Sequence, residues 1–271
     1  MRKQDKNKLI YTVLILFFIV AFWVFENFYT PDKYASSNNS GQKENYAELL
    51  LPTSTTGDII VHDHFTLSYH ERYEQAEWVA YSLRKSHLTY DDRQRPYFIE
   101  DPKVRTKSAD WRNYRGSGFD RGHLCPAGDM RFSETAYNQT FYTSNISPQR
   151  RDFNAGVWNR LEMQVRSWCK RYGDLQVMVG GILERGLEVI GDEDVAIPDA
   201  YFKVIARGES DDLEVIAFLI PHRESQQALV NYVVSVDEIE RLTGIDFLGE
   251  LPDEEEDMLE SSVSSKGWTF R

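Results

Sequence analysis

Residues Asp120 to Met130 read Asp-Arg-Gly-His-Leu-Cys-Pro-Ala-Gly-Asp-Met, and this stretch decides how the 271-residue chain is interpreted. His123 follows Arg121 at a distance of two residues, and Asn154 and Glu162 come later in the chain. These side chains supply a base, a cation, a neutral oxygen ligand and a carboxylate. Such groups are what the cleavage of a phosphodiester with one hard metal ion requires.

Composition indicates one sizeable globular domain with appendages, because 41% of the residues are apolar and 13% are aromatic. The net charge is −12, which is unusual for a protein that binds phosphates. The charge is unevenly distributed, however, since residues 101–171 contain thirteen Lys and Arg against seven Asp and Glu. A basic middle in an acidic chain is consistent with a cleft that holds phosphates.

The N-terminus predicts a membrane anchor. Residues 1–8 are basic, and the uncharged run that follows supports a transmembrane helix over 9–29, with 1–8 in the cytoplasm and the rest of the chain outside it. A cleaved signal peptide is the alternative, and it would make the protein secreted. The run ends in bulky aromatic residues rather than in small ones, which favours the anchor.

The remaining chain divides into a polar linker (30–57), a catalytic domain (58–260) and a C-terminal tail (261–271). Within the domain, 175–181 and 213–220 are rich in β-branched residues and predict strands. Strands and helices follow one another without a βαβ rhythm. This order predicts an α+β fold.

A helix is predicted to begin near Asn154, because apolar residues then recur at helical spacing. The residues of this apolar stripe are Val157, Leu161, Val165 and Trp168. Asn154 and Glu162 lie on one side of a regular helix, about 12 Å apart along its axis. That separation is too long for both to bind one ion directly, so Glu162 would act through a metal-bound water. Taken singly, Asn154 could be a helix cap, and Glu162 with Arg166 an exposed ion pair.

Three blocks of sequence resemble the successive signatures of the DNA/RNA non-specific endonucleases. They are Asp120-Arg121-Gly122-His123, the stretch Ser144-Asn145-Ile146-Ser147-Pro148-Gln149, and residues 154–162. The resemblance covers roughly residues 58–260. It implies a ββα-metal fold, in which a central, mainly antiparallel sheet is flanked by helices.

The same resemblance implies roles for individual residues. His123 matches the general base, Asn154 the one protein ligand to the metal, and Glu162 the acid that orients the water shell of the ion. Asn145 matches a residue that supports the catalytic histidine or the substrate.

Three arginines complete the candidate site. Arg121 and Arg166 match arginines that bind phosphate and offset charge in the transition state. Arg115 does not come from the resemblance. It is added as a substrate contact because of its proximity and charge.

The implied activity is hydrolysis of DNA and RNA with one Mg²⁺, for which Mn²⁺ can substitute, giving 5′-phosphate products. A membrane-anchored nucleic-acid-binding module without turnover is the alternative. A Ser-His-Asp hydrolase is disfavoured, because Gly116-Ser117-Gly118 lacks the nucleophile-elbow pattern. The sequence identifies neither an inhibitor protein nor an oligomeric state.

Two further features are interpreted from spacing alone. Cys125 and Cys169 are the two cysteines, and a disulfide between them beside the site is left open. His62-Asp63-His64 could suggest a metal site, but a surface strand is the preferred interpretation.

Overall fold

The computed structural model describes residues 11–12, 14–18, 20, 50–208 and 212–270. The chain separates into two units, residues 1–39 and 40–271. In the first unit the described residues are helical and exposed. Within the described part of the chain, no helix is both long enough and apolar enough to cross a membrane. Three predicted regions lie wholly or partly outside the described residues. They are the cytoplasmic segment 1–8, most of the anchor 9–29, and residues 30–49 of the linker.

The second unit is built on a seven-stranded sheet in which every neighbouring pair is antiparallel. In chain order the strands are β1 (Ile59–Val61), β2 (Thr66–His70), β3 (Gln75–Leu83), β4 (Asp120–His123), β5 (Ile146–Gln149), β6 (Leu175–Gly181), β7 (Val189–Ile190), β8 (Val195–Ala196), β9 (Ala200–Arg207), β10 (Glu214–Pro221) and β11 (Val233–Val234). The sheet order is β1-β2-β3-β6-β9-β10-β11, while β4 with β5 and β7 with β8 form two-stranded ribbons. The α+β class and the antiparallel sheet are therefore confirmed.

Helices cover both faces of this sheet. They are α1 (Glu134–Gln139), α2 (Asn159–Tyr172), α3 (Val236–Thr243) and α4 (Asp253–Glu260). On one face the apolar stripe of α2 and of the turns before it is buried, as its spacing predicted. On the other face, Val236 and Ile239 of α3 pack with Trp78 and Met178 of the sheet. Burial of these two apolar layers is the main stabilising contribution to the fold.

Both ends of the second unit are attached to the sheet. Residues 50–57 fall in the predicted linker, yet Thr53 accepts a hydrogen bond from Trp78 Nε1 at 2.8 Å and Thr55 N donates to Glu77 at 2.9 Å. Trp268, in the predicted tail, is buried against Trp168 with ring centroids 4.9 Å apart. The packed unit thus extends past both ends of the predicted domain, because aromatic side chains from the sheet and from α2 meet the flanking segments.

The surface-strand interpretation of His62-Asp63-His64 was wrong, because none of the three residues lies in a strand and the first is buried. β1 ends at Val61, and His62 is buried with Nε2 2.8 Å from Asp101 Oδ2. Asp101 also accepts a hydrogen bond from Ser144, whose neighbour is Asn145. This buried pair therefore joins the start of the sheet to the turn that precedes β5.

Candidate active site

The candidate site is organised by the ribbon of β4 and β5. In this ribbon Gly122 is opposite Ser147 and His123 is opposite Ile146. A Cβ atom on Gly122 would lie only 2.2 Å from the buried side chain of Gln149. Glycine at this position therefore leaves room for the Gln149 side chain of β5 to pack against β4, next to His123 at the end of that strand.

Asn145 connects this ribbon to the segment after His123. Its amide oxygen accepts a hydrogen bond from Cys125 N at 2.8 Å, and its amide nitrogen donates to Cys125 O at 3.0 Å and to Thr140 O at 2.9 Å. The side chain is fully buried. Because these bonds engage the backbone beside His123, Asn145 fixes the segment that follows the histidine.

His123 lies in an aromatic and cationic environment. Its ring centroid is 4.9 Å from that of Phe141 and 5.6 Å from that of Phe98. Burial, together with the positive charges of Arg95 and Arg121, lowers the pKa of His123 to about 3. The imidazole is therefore neutral at physiological pH.

Arg95 is a site residue that the sequence analysis missed. Its guanidinium carbon lies 5.4 Å from the ring centroid of Phe98 and 5.5 Å from that of Phe141. Arg121 lies over the same Phe98 ring at 4.6 Å. The two arginines therefore border the histidine from separate segments. Arg95 is outside the basic region 101–171, and its neighbour Arg93 carries the same charge, so the sequence offered no signal to single it out.

Asn154 is not on a regular helix, and that part of the sequence prediction was wrong. One α-helical turn (Arg151–Phe153) leads into a wider turn of π type (Asn154–Trp158), and only then does α2 begin. Gly156 departs from helical angles, with φ −98° and ψ −112°. The spacing rule assumes 3.6 residues per turn throughout, so it cannot give the relative direction of Asn154 and Glu162.

The side chain of Asn154 is oriented by β4. Its amide nitrogen donates to Asp120 Oδ2 at 3.2 Å. This bond leaves the amide oxygen of Asn154 and the carboxylate of Asp120 side by side. Oxygen donors of this kind suit Mg²⁺, which binds few protein ligands and keeps several waters. Asp120 was quoted in the sequence motif without a role, and the structure brings it to Asn154.

Glu162 and Arg166 belong to a largely buried ion network rather than to an exposed pair. Arg166 lies 3.3 Å from Glu162 and also donates from Nε to Asp129, which is 2% exposed. Tyr81 donates to the other oxygen of Asp129 at 2.9 Å. Asp129 and Glu162 thus partly offset the charge of Arg166, and Arg166 forms an ion pair with Glu162.

Lys203 is a second residue that the sequence analysis missed. It is fully buried on β9, with its ammonium 4.7 Å from the ring centroid of Trp158. Among the described residues its Nζ has no hydrogen-bond partner. Burial raises the pKa of Glu162, while the positive charges of Lys203 and Arg166 act in the opposite direction. The presence of a lysine among the apolar residues of β9 was the signal in the sequence that could have identified Lys203.

His222 supports the start of the helical segment. Its Nδ1 donates to the carbonyl of Pro198 at 2.8 Å, and its Nε2 accepts from Arg150 N at 2.7 Å. Burial lowers the pKa of His222 to about 4, so the neutral ring that makes both bonds is the stable form. The ring packs edge-on against Phe153 and thereby helps to place the turn that carries Asn154.

Arg115 lies apart from this group. It lines a cavity of about 560 Å³ together with acidic residues, among them Asp110, Asp192 and Glu193. Among the described residues, no contact between Arg115 and His123 is found. Its prediction as a substrate contact has no support from the geometry of the site.

The two cysteines are both buried and free. Cys169 lies with its sulfur 3.2 Å from the carbonyl of Leu83, to which it donates. Burial raises the pKa of the Cys169 thiol to about 12. The disulfide that the sequence left open is therefore not formed, and both residues are part of the core beneath the site.

Comparison with known proteins places these features in context. Residues 43–254 match the model of the DNA/RNA non-specific endonuclease family. The human mitochondrial nuclease EXOG is 38% identical over 203 residues, which are 68% of this chain and 55% of that protein. Nuclease C1 of Cunninghamella echinulata var. echinulata is 33% identical over 225 residues, or 73% of this chain and 85% of its own length.

A solved structure shares the fold. The crystal structure of the EndoG/EndoGI complex, which concerns the mechanism of EndoG inhibition, matches with a TM-score of 0.67 and 30% identity. The match covers 72% of this chain and 86% of the other. The chain spans little more than half the length of EXOG, so the similarity concerns the shared domain.

Proposed function

Because the chain belongs to the DNA/RNA non-specific endonuclease family, we propose that it is a metal-dependent endonuclease that hydrolyses phosphodiester bonds in both DNA and RNA. The observation that carries this proposal is the neutral His123 between two arginines, at the end of the strand whose first residue, Asp120, holds Asn154. A base and an oxygen-rich cation site are thus presented by adjacent parts of one ββα unit.

His123 acts as the general base. The ring is unprotonated at neutral pH, and it accepts a proton from the water that attacks phosphorus. Arg121 and Arg95 bind the phosphate oxygens and stabilise the charge that develops on them. The Phe98 ring beneath both guanidinium groups limits their movement.

The metal site is assigned to Asn154 as the direct ligand, with Glu162 acting through a water, and Asp120 fixes the Asn154 amide. Mg²⁺ is the preferred ion, with Mn²⁺ as a substitute, and when bound it polarises the scissile phosphate and stabilises the leaving oxygen. The expected products carry a 5′-phosphate. Arg166 holds Glu162 in position and offsets part of its charge.

Cleavage of supercoiled plasmid and of a structured RNA by residues 40–271 tests the proposal. The fragment includes residues 50–57, because Thr53 and Thr55 are hydrogen-bonded to the sheet. Cutting of both substrates with Mg²⁺, and none with chelator, is expected. H123A is expected to lose about 10²- to 10⁴-fold in rate. If the folded H123A fragment cuts as fast as the wild-type fragment, the proposed role of His123 as the general base is wrong.

The matched control is H70A. His70 lies at the end of β2, where it packs on Tyr73, and it is absent from the candidate site. H70A is expected to keep the rate of the wild type. If the folded wild type binds nucleic acid but cuts neither substrate under any metal condition, the alternative of a silent binding module is favoured.

The N-terminal segment is proposed to anchor the domain outside the cytoplasm. This proposal is supported by the basic start and the uncharged run at 9–25. Alkaline carbonate extraction of membranes tests it: an anchored chain stays in the pellet, and a chain with a cleaved signal appears in the soluble fraction with residues missing from its N-terminus.

A further inference from the structure

Five carboxylates converge where α3, α4 and the loop between them meet. Asp237 and Glu240 belong to α3, Glu256 and Glu260 to α4, and Asp246 to the loop. These five residues are called the carboxylate cluster. They occupy the side of the sheet that α3 covers, whereas α2 and the candidate active site occupy the opposite side.

The spacing of the cluster fits a single ion. One oxygen from each of Asp237, Glu240 and Glu260 can be chosen so that all lie within 4.8 Å of one another, and the same holds for Asp246, Glu256 and Glu260. Oxygens within this distance of one another can be bridged by one divalent cation.

One carboxylate oxygen of Glu260 is buried without a partner. Its side chain is 5% exposed, and its Oε1 has no hydrogen-bond partner among the described residues. The Oδ1 atom of Asp246 is buried and unpartnered in the same way. A buried carboxylate among others is costly unless a proton or a cation compensates its charge.

Several cluster members are held in place by the backbone. Glu240 accepts a hydrogen bond from Phe247 N at 2.8 Å. Asp246 donates from its backbone nitrogen to Thr53 Oγ1 at 2.9 Å, and its carbonyl accepts from Thr53 N at 2.8 Å. Because these bonds fix the Glu240 carboxylate and the backbone of Asp246 before any ligand arrives, the ordering cost of binding an ion is reduced.

We propose that the carboxylate cluster is a second metal site, which binds one hard divalent cation of the size of Ca²⁺ and joins α3 to α4. Glu260 is the central ligand, because it belongs to both groups of three oxygens. An all-carboxylate set suits Ca²⁺, which accepts six to eight oxygens in flexible geometry, better than Mg²⁺, which requires a tight octahedron. Glu256 and Glu260 lie beyond residue 254, where the match to the family model ends.

Thermal unfolding of the full chain at pH 7.5 tests this site without reference to nuclease activity. Calcium at about 100-fold above its Kd is expected to raise the Tm by roughly 5 to 10 °C relative to chelator. N154A, which lacks the proposed catalytic ligand, is expected to show the same rise. E260Q and the half-buried E256Q are expected to lose it while cleaving nucleic acid at the rate of the wild type.

The control for charge is E254Q, which removes one carboxylate from an exposed position of α4 outside the cluster. It is expected to keep the full response to calcium. A wild type whose Tm is unchanged by calcium overturns the proposal and indicates that the cluster holds a proton instead. A response that N154A loses and E260Q keeps also overturns it, because it places the ion at the candidate active site.

Discussion

At the scale of single residues, the environment of His123 is set by positive charge rather than by an acidic partner. Arg95 and Arg121 oppose protonation of the ring, and Phe98 and Phe141 pack against it. A lone histidine with a pKa near 6.5 would be partly protonated at neutral pH. Here the surrounding residues keep the imidazole neutral, and under the proposed function the same two cations bind phosphate, so one arrangement would serve both purposes.

This arrangement predicts the titration of His123. In histidine-ring NMR spectra of the metal-free protein, the signal that disappears in H123A is expected not to shift between pH 5 and pH 8, because the pKa lies near 3. Arg95→Ala is expected to raise the pKa, since a neighbouring positive charge disfavours the imidazolium. Arg95→Lys keeps that charge and is the control. A wild-type midpoint near 6.5 would contradict the proposed environment.

Gly122 gives a second prediction at this scale. In Gly122→Ala the added methyl group meets the buried side chain of Gln149, and the resulting shift is expected to displace His123, the next residue of β4. A displacement of about 1 Å can cost about 100-fold in rate. Gln149→Ala in the same chain removes the obstacle and is expected to restore part of the cleavage rate. Equal rates for Gly122→Ala and the double variant would show that the contact is not the cause.

At the scale of elements, the sequence predicted those features that depend on regular periodicity. The apolar stripe of α2 is buried, and the strands at 175–181 and 213–220 are present as β6 and β10. Periodicity could not reveal the wide turn at Asn154–Trp158, since a π-type turn adds a residue without changing the apolar pattern that follows. Periodicity also could not predict that Arg95 and Lys203 lie at the site, because tertiary packing places both residues there.

The wide turn predicts the effect of a deletion. Removing Ala155, which is exposed, is expected to let a regular helix form, so that Asn154 rotates by about 100° relative to Glu162. The variant is expected to fold with a Tm near that of the wild type, and to lose Mg²⁺-dependent cleavage by about 100-fold or more. Unchanged cleavage by a folded deletion variant would mean that the wide turn does not set the position of Asn154.

At the scale of the whole molecule, charge is divided between the two faces of the sheet. The face covered by α2 carries the arginines that border His123, and the face covered by α3 carries the carboxylate cluster. The net charge of −12 therefore does not conflict with phosphate binding. The local electrostatic potential governs the approach of a polyanion to a cleft. The excess of acidic residues elsewhere on the surface limits the binding of polyanions there. Composition alone could not show this division, because it depends on which segments share a face.

The carboxylate cluster also predicts how stability depends on pH when divalent ions are removed. Glu260, faced by Glu240, Glu256 and Asp246, has its pKa raised from 4.5 to about 8 in the folded chain. Between these values the folded state holds a proton that the unfolded state has lost, so the free energy of unfolding falls as pH rises from about 5 to 8. In chelator, the Tm of the wild type is expected to decline over this range.

Glu260→Gln removes that titration, and its Tm is expected to decline less than that of the wild type over the same pH range. Glu254→Gln is the matched control and should follow the wild type, because its side chain is exposed and outside the cluster. Parallel curves for the wild type and Glu260→Gln would mean that Glu260 is already ionised at neutral pH in the folded chain. In that case the carboxylates would repel one another without a shared proton, and the affinity of the cluster for a divalent cation would be higher than that of a cluster that holds a proton.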